Sequence, residues 1–257
     1  MVNNDISDVD VAAAMAFIAK GGLLTVATGR LRDSAKRFVD TLGVNCPAIC
    51  QNGGYIYDFQ KNEEISSTFL HNRAYDITRE IIERYPSVRL QIFSHQKVYC
   101  IGYGQLWTNP ARYIVMVESI KDIPRPWAKV LFDASSDILD KIRTTAKELD
   151  ITDNFEFVKS SDFSLEILPK GINKGMAVTK LAKQLGISRE MTIAIGDNEN
   201  DIEMIQAAGV GLAVKGACPP VADAADLVLP YGCGTALFGT IQMLKKGEIQ
   251  LKSKGNV

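Results

Sequence analysis

The sequence predicts a doubly wound, parallel-sheet α/β domain with an α+β module inserted in its middle. Three observations lead there. Short apolar runs near both ends of the chain stop in polar, glycine-rich loops, helical stretches alternate with those runs, and the middle of the chain is dominated by closely spaced strands.

The elements follow in order. Ser7 before Asp8 and Asp10 reads as an N-cap with an acidic first turn, and the apolar residues 11–19 carry the helix to Gly21-Gly22. Residues 23–27 form a strand stopped by Thr28-Gly29-Arg30; residues 34–42 have helical spacing and end at Gly43. Residues 47–50 make another short strand, ending in Gln51-Asn52-Gly53-Gly54. This alternation predicts right-handed crossovers onto a parallel sheet. The rhythm returns with a helix over 174–185, a strand over 191–195, a helix over 201–208, and strands over 210–214 and 227–229.

Between these parts, strands are expected over 88–93, 98–101, 128–132, 155–158 and 164–168, with one helix that sets Ile138, Ile142, Ala146 and Leu149 on a single face. Joints fall near 68–72 and 169–171, giving a discontinuous core of 1–69 with 171–257 and an inserted domain of 70–170. Residues 247–257 read as a polar tail.

Composition narrows the function. At 257 residues with 46% hydrophobic content, the chain can build a real core. Its 29 basic and 30 acidic residues leave no field of one sign, so neither nucleic acid nor an anionic membrane is the expected partner. No apolar run approaches the ~20 residues that span a bilayer, and residues 1–5 lack the pattern of a signal peptide, so a cytoplasmic location is expected. Cys46, Cys50, Cys100, Cys218 and Cys233 are scattered without a C-x-x-C pair, which implies reduced, structural thiols. His71 and His95, far apart and without ligand-like neighbours, argue against a histidine metal site or a Ser-His-Asp triad. Nothing in the sequence fixes an oligomeric state.

Ligands of an open parallel sheet bind at the carboxyl ends of its strands. Three predicted strands end there in polar loops: residues 27–30, 51–54 and 196–201. Magnesium takes hard oxygen ligands, only one or two of them protein carboxylates. Asp197, set just past a strand by a flexible Gly196, suits that role, with Asp201 and Asn200 orienting it or its bound water. The same cluster also suits a plain helix cap. Thr28 can offer a hydroxyl, and Gly29 a close backbone N–H, to a phosphoryl oxygen; a simple strand-to-helix turn explains the pair almost as well. Lys174, at the start of a helix, reads either as half of an anion site or as one solvated lysine among many.

Together, Ala27-Thr28-Gly29-Arg30, Asn52-Gly53, the run from Pro169-Lys170-Gly171 to Lys174-Gly175, and the run from Gly196-Asp197 to Asn200-Asp201 resemble the haloacid dehalogenase (HAD) superfamily. More narrowly, the chain is similar to its Cof-type sugar-phosphate phosphatases with a C2-type cap. The resemblance implies a Rossmann-like core and an inserted cap that covers the site and selects the leaving group. It implies phosphoryl binding by Thr28, with Gly29, Arg30, Asn52 and Gly53 nearby, charge neutralisation by Lys174, and Mg²⁺ held by Asp197 and Asp201 with Asn200. It also implies small phosphorylated substrates and an aspartyl-phosphate intermediate.

The family's nucleophile is the first aspartate of a DxDGT motif on the central strand. This sequence offers only Asp8-Val9-Asp10-Val11-Ala12, with no apolar strand before it and no Gly-Thr after it. By the resemblance, the chain begins about 15 to 20 residues late, and the nucleophile belongs to a longer product. Without that strand, its two neighbours would be left unpaired beside an apolar slot, unless the sheet rearranges or another chain fills it. Gly216 stands where relatives carry an Asn. Two rivals remain: a non-catalytic relative that binds phosphorylated ligands or a protein, and a phosphotransferase of the mutase type.

Overall fold

A computed structural model describes residues 6–103, 112–148 and 154–251. Contacts divide the chain into two units, Met1–Ser67 with Asn173–Val257, and Thr68–Ile172. Leu149, the N-terminal residues 1–5 and the tail beyond 251 lie outside the described residues.

The first unit opens with α1 (Asp8–Ile18), where Ser7 Oγ accepts from the Asp10 N–H, as a Ser N-cap should. α2 (Arg32–Leu42) ends on Gly43, whose φ of 64° closes the helix in the left-handed conformation. Between them, the expected strand over 23–27 forms only one bridge, Ala27 to Ile49, in parallel register. Its Leu24 N–H goes to the Asn45 side chain rather than to a neighbouring backbone, so a full ladder does not develop.

β1 (Ala48–Cys50), β2 (Tyr55–Asp58) and β3 (Glu63–Ser67) then form an antiparallel sheet, β2 and β3 being additions to the sequence expectation, while the expected crossover from segment 23–27 through α2 to β1 is parallel at the Ala27–Ile49 bridge. The reversal is made by Gln51 and Asn52, both left-handed at φ 51° and 54°. Chain direction is decided in that turn and not by the apolar runs.

After the insertion come α5 (Lys174–Gln184), β10 (Ile193–Gly196), α6 (Ile202–Ala207), β11 (Val210–Ala213), α7 (Pro219–Ala224), β12 (Leu227–Val228) and α8 (Ala236–Lys246). β10, β11 and β12 are parallel, with β10 at the edge. α5 joins the two sheets: Val178 packs with Ile49 and Ile56 on one side and with Ala194 and Met204 on the other, and Ala27 belongs to both groups. Among the described residues no strand lies between segment 23–27 and β10. A cavity of about 420 Å³ is lined there by Val26, Thr28, Phe38, Leu42, Ile195 and Leu237, among others.

The second unit carries α3 (Ala74–Arg84), β4 (Arg89–Ser94), β5 (Lys97–Ile101), β6 (Ile114–Met116), β7 (Lys129–Asp133), α4 (Ser136–Glu148), β8 (Phe155–Ser161) and β9 (Ser164–Pro169). Its sheet runs β6-β5-β4-β7-β9-β8, antiparallel except for the β5–β6 pair. Strand alternation sends Leu90, Ile92, Val130, Phe132, Leu165 and Ile167 into one core with Ile77 and Ile81 of α3 and Leu139 and Ile142 of α4. α3 and β6 are additions to the sequence expectation of one helix and five strands. Among the described residues no helix is long and apolar enough to cross a membrane.

Candidate active site

Four segments of the first unit meet at the ends of its strands. Thr28 follows segment 23–27 and donates its backbone N–H to Ile49 O. Its Oγ1 accepts from the Arg30 N–H at 3.2 Å, which leaves the hydroxyl hydrogen available to a ligand. Asn52 donates its N–H to Thr28 O, and its Oδ1 accepts from Asn200 Nδ2 at 3.1 Å, tying the loop after β1 to the loop after β10. A Cβ on Gly29 would lie 3.0 Å from Asn52 Oδ1, and one on Gly53, already at φ 102°, would lie 2.3 Å from Asn173 O. The loops therefore approach as closely as backbone allows. Arg30 places its guanidinium 5.0 Å over the Phe38 ring.

Lys174 and Asp201 are buried, each 5% exposed, and Lys174 Nζ donates to Asp201 Oδ1 at 2.6 Å. Lys174 is therefore no solvated surface lysine. Asp201 Oδ2 accepts from the backbone N–H groups of Asp197 (3.0 Å) and Asn198 (3.2 Å). Asn198 and Asp201 form a reciprocal capping box on the turn that leads into α6. Capping thus accounts for Asn198 and Asp201 but not for the Asp197 carboxylate. Both Asp201 oxygens accept from donors, which places Asp201 to orient Lys174 and the 197–198 loop.

Asp197 lies outside that box, its Oδ2 accepting from Asn198 Nδ2 at 3.0 Å. Burial raises its pKa above the usual 3.8, and the neighbouring Asp201 charge raises it further, against the pull of Lys174. A carboxylate held unfavourably among its neighbours favours a cation. Gly196 is needed here for closeness and not for flexibility, since a Cβ would lie 2.4 Å from Asp201 Cβ. Gly216 sits at φ 86° in open space, a conformation in which a side chain is strained.

Two residues that the sequence reading left without a role here face the same region. Asp10 is buried, accepts from the Phe238 N–H at 2.8 Å and lines the cavity beside Thr28. Cys233 also lines it; its thiol is pushed up by burial and then by the Asp197 charge. Spacing could not reveal either, because their partners lie far along the chain. Thiol chemistry is disfavoured: burial pushes Cys46 and Cys100 to about 11 and Cys50 to about 12. Among the described residues no three His, Cys, Asp or Glu side chains cluster as a metal site.

The family model for haloacid dehalogenase-like hydrolases matches residues 2–236. The chain belongs to that family. Its HAD-like relatives include the Bacillus subtilis protein YxeH, 30% identical over 224 residues that cover 81% of this chain and 80% of YxeH. The 5-amino-6-(5-phospho-D-ribitylamino)uracil phosphatase YcsE of Bacillus subtilis is 27% identical over 228 residues, 87% of this chain and 82% of YcsE. A haloacid dehalogenase-like hydrolase from Bacteroides thetaiotaomicron superimposes with a TM-score of 0.81 at 22% identity, covering 95% of this chain and 94% of that one. The HAD-like fold expected from the sequence is the fold observed.

Proposed function

We propose that this chain forms the phosphate- and Mg²⁺-binding site of a phosphatase acting on small phosphorylated metabolites, sugar and polyol phosphates foremost. The observation that carries the reading is the sequence of contacts from Lys174 through Asp201 to the loop that presents Asp197. Lys174, fixed by Asp201, offsets charge on the phosphoryl oxygens; the Thr28 hydroxyl donates to one of them, and the Asn52–Asn200 hydrogen bond holds the two flanking loops together. Mg²⁺ held by Asp197 would supply further neutralisation of the transferring group. The substrate class rests on the Cof-type resemblance and on the phosphorylated ribityl compound in the name of YcsE.

Hydrolysis in this reading passes through an aspartyl-phosphate. A carboxylate oxygen bonds to phosphorus as the ester P–O bond breaks and the leaving alkoxide takes a proton from solvent; water then bonds to phosphorus and gives up a proton to solvent as the acyl phosphate P–O bond breaks, releasing phosphate and restoring the carboxylate. The acidic residue that lines the cavity beside Thr28 is Asp10. Its Oδ1 already holds the Phe238 N–H, which favours a second reading in which this chain binds phosphorylated ligands without turnover.

One experiment separates the two: p-nitrophenyl phosphate hydrolysis and phosphate titration by the purified chain, with and without Mg²⁺, beside Asp197→Asn. Mg²⁺-dependent hydrolysis lost at least a hundredfold in the variant supports the phosphatase. Saturable phosphate binding without turnover favours the binder, and the absence of both refutes the site.

A further inference from the structure

Helix α1 is apolar on every side, and only one side of it is covered. Residues 11–19 include no polar side chain. One face turns inward, with Asp10, Ala13 and Ala14 buried and the helix lying against α2 and α8. On the opposite face Val9 is 44% exposed and Met15 59%, and Ala12, Ala16 and Ala19 are exposed beside them. A surface helix ordinarily turns polar residues to solvent, and a helix apolar all round is ordinarily buried all round. The outer face of α1 therefore has the composition of a contact surface without a partner among the described residues.

The layout of that face is self-complementary. Val9, Ala12, Ala16 and Ala19 follow at intervals of three, four and three and share one side of the helix. Two copies of α1 laid antiparallel about a two-fold axis at residue 14 set Val9 against Ala19 and Ala12 against Ala16, each contact occurring twice. The small alanines at the centre let the helices approach closely, and Met15 fills the flank. The same axis brings exposed Asp8 of one copy to the end where exposed Lys20 of the other lies; neither has an ion-pair partner among the described residues. A parallel pair would instead set Asp8 against Asp8. We propose that the outer face of α1 is a self-association surface, occupied by α1 of a second copy of this chain in antiparallel order. The 11-residue helix offers a face about 16 Å long, which buries less than the ~1,000 Å² of a stable interface and makes the dimer a weak, concentration-dependent one. This surface is separate from the phosphate site proposed above and does not depend on it.

The test is sedimentation velocity of the purified full chain from about 10 µM to about 1 mM, a range that spans weak association. The parent should pass from monomer to dimer across it. Ala16→Glu, a change that an exposed helix position accepts, sets two like charges beside the axis and should weaken the dimer at least tenfold. Asp8→Lys and Lys20→Glu should each weaken it at least threefold, because both ends of the pair then oppose like charges. An equimolar mixture of those two variants restores both ion pairs without altering either chain, and it should associate at least as tightly as the parent. A parent that stays monomeric overturns the proposal and leaves the face to a different partner. So does a dimer that Ala16→Glu leaves unchanged, which would place the contact elsewhere, as at the β10 edge. A mixture that associates no more tightly than either variant alone overturns the antiparallel arrangement.

Discussion

Among the described residues each unit buries one lysine–carboxylate pair, and the two pairs are differently built. In the first unit, Lys174 meets Asp201 at 2.6 Å, and the remaining Asp201 oxygen accepts two backbone N–H groups. In the second, Lys129 meets Glu166 at 3.1 Å across neighbouring strands, but Glu166 Oε2 has no hydrogen-bond partner. Lys129 instead rests 4.2 Å from the centre of the Phe93 ring. The first pair organises a loop whose shape the site needs. The second sits on a sheet already held by one large apolar core, so its removal leaves the architecture standing. Buried charge alone does not stabilise; what it connects decides its worth.

The comparison breaks most directly at Lys174. Lys174→Ala leaves Asp201 buried with an uncompensated charge and should cost about 3–5 kcal/mol in urea unfolding of the first unit. A loss below ~1 kcal/mol would mean that the loop is organised by its capping box alone. Gly196→Ala forces a methyl against Asp201 and should cost about 1–3 kcal/mol, with phosphate binding lost even where the protein remains folded. The double variant Lys129→Met with Glu166→Leu should be neutral or stabilising by up to ~2 kcal/mol, because it removes the unsatisfied Oε2 together with its partner. A marked loss there would erase the contrast between the pairs.

The smallest effect is expected at Asp10, whose pKa is raised from 3.8 chiefly by burial, against the Phe238 and Leu237 N–H groups. A folded-state pKa above the unfolded one means that stability falls as pH rises from the unfolded value through the folded one, and stays lowered above it. Asp10→Asn keeps an oxygen for Phe238 and removes the charge. Its Tm should exceed the parent's by about 1–3 °C at neutral pH, and the gap should close below pH 3.8.

What was legible in the sequence follows the reach of each interaction. Ser7 as a cap, Gly43 as a helix stop and the alternating strands of the second unit are local patterns, and the structure has them. The antiparallel course after β1 was not legible, because it turns on left-handed Gln51 and Asn52, residues that accept many conformations. Nor could spacing separate Asp197 from Asp201. That distinction depends on Lys174, 27 residues away, claiming one oxygen of Asp201. Asp10 entered the cavity lining through Phe238, 228 residues distant. Local chemistry marked the loops of the site, and only long-range packing divided the labour within them.

The cavity between segment 23–27 and β10 also bears on how the protein behaves at high concentration. β10 is a sheet edge, segment 23–27 pairs on one side only, and both border apolar side chains. Edges of that kind template intermolecular strand pairing. Light scattering of the described chain should therefore rise more steeply with concentration than its near-zero net charge alone would produce. A short peptide that occupies the cavity should act as a solubiliser.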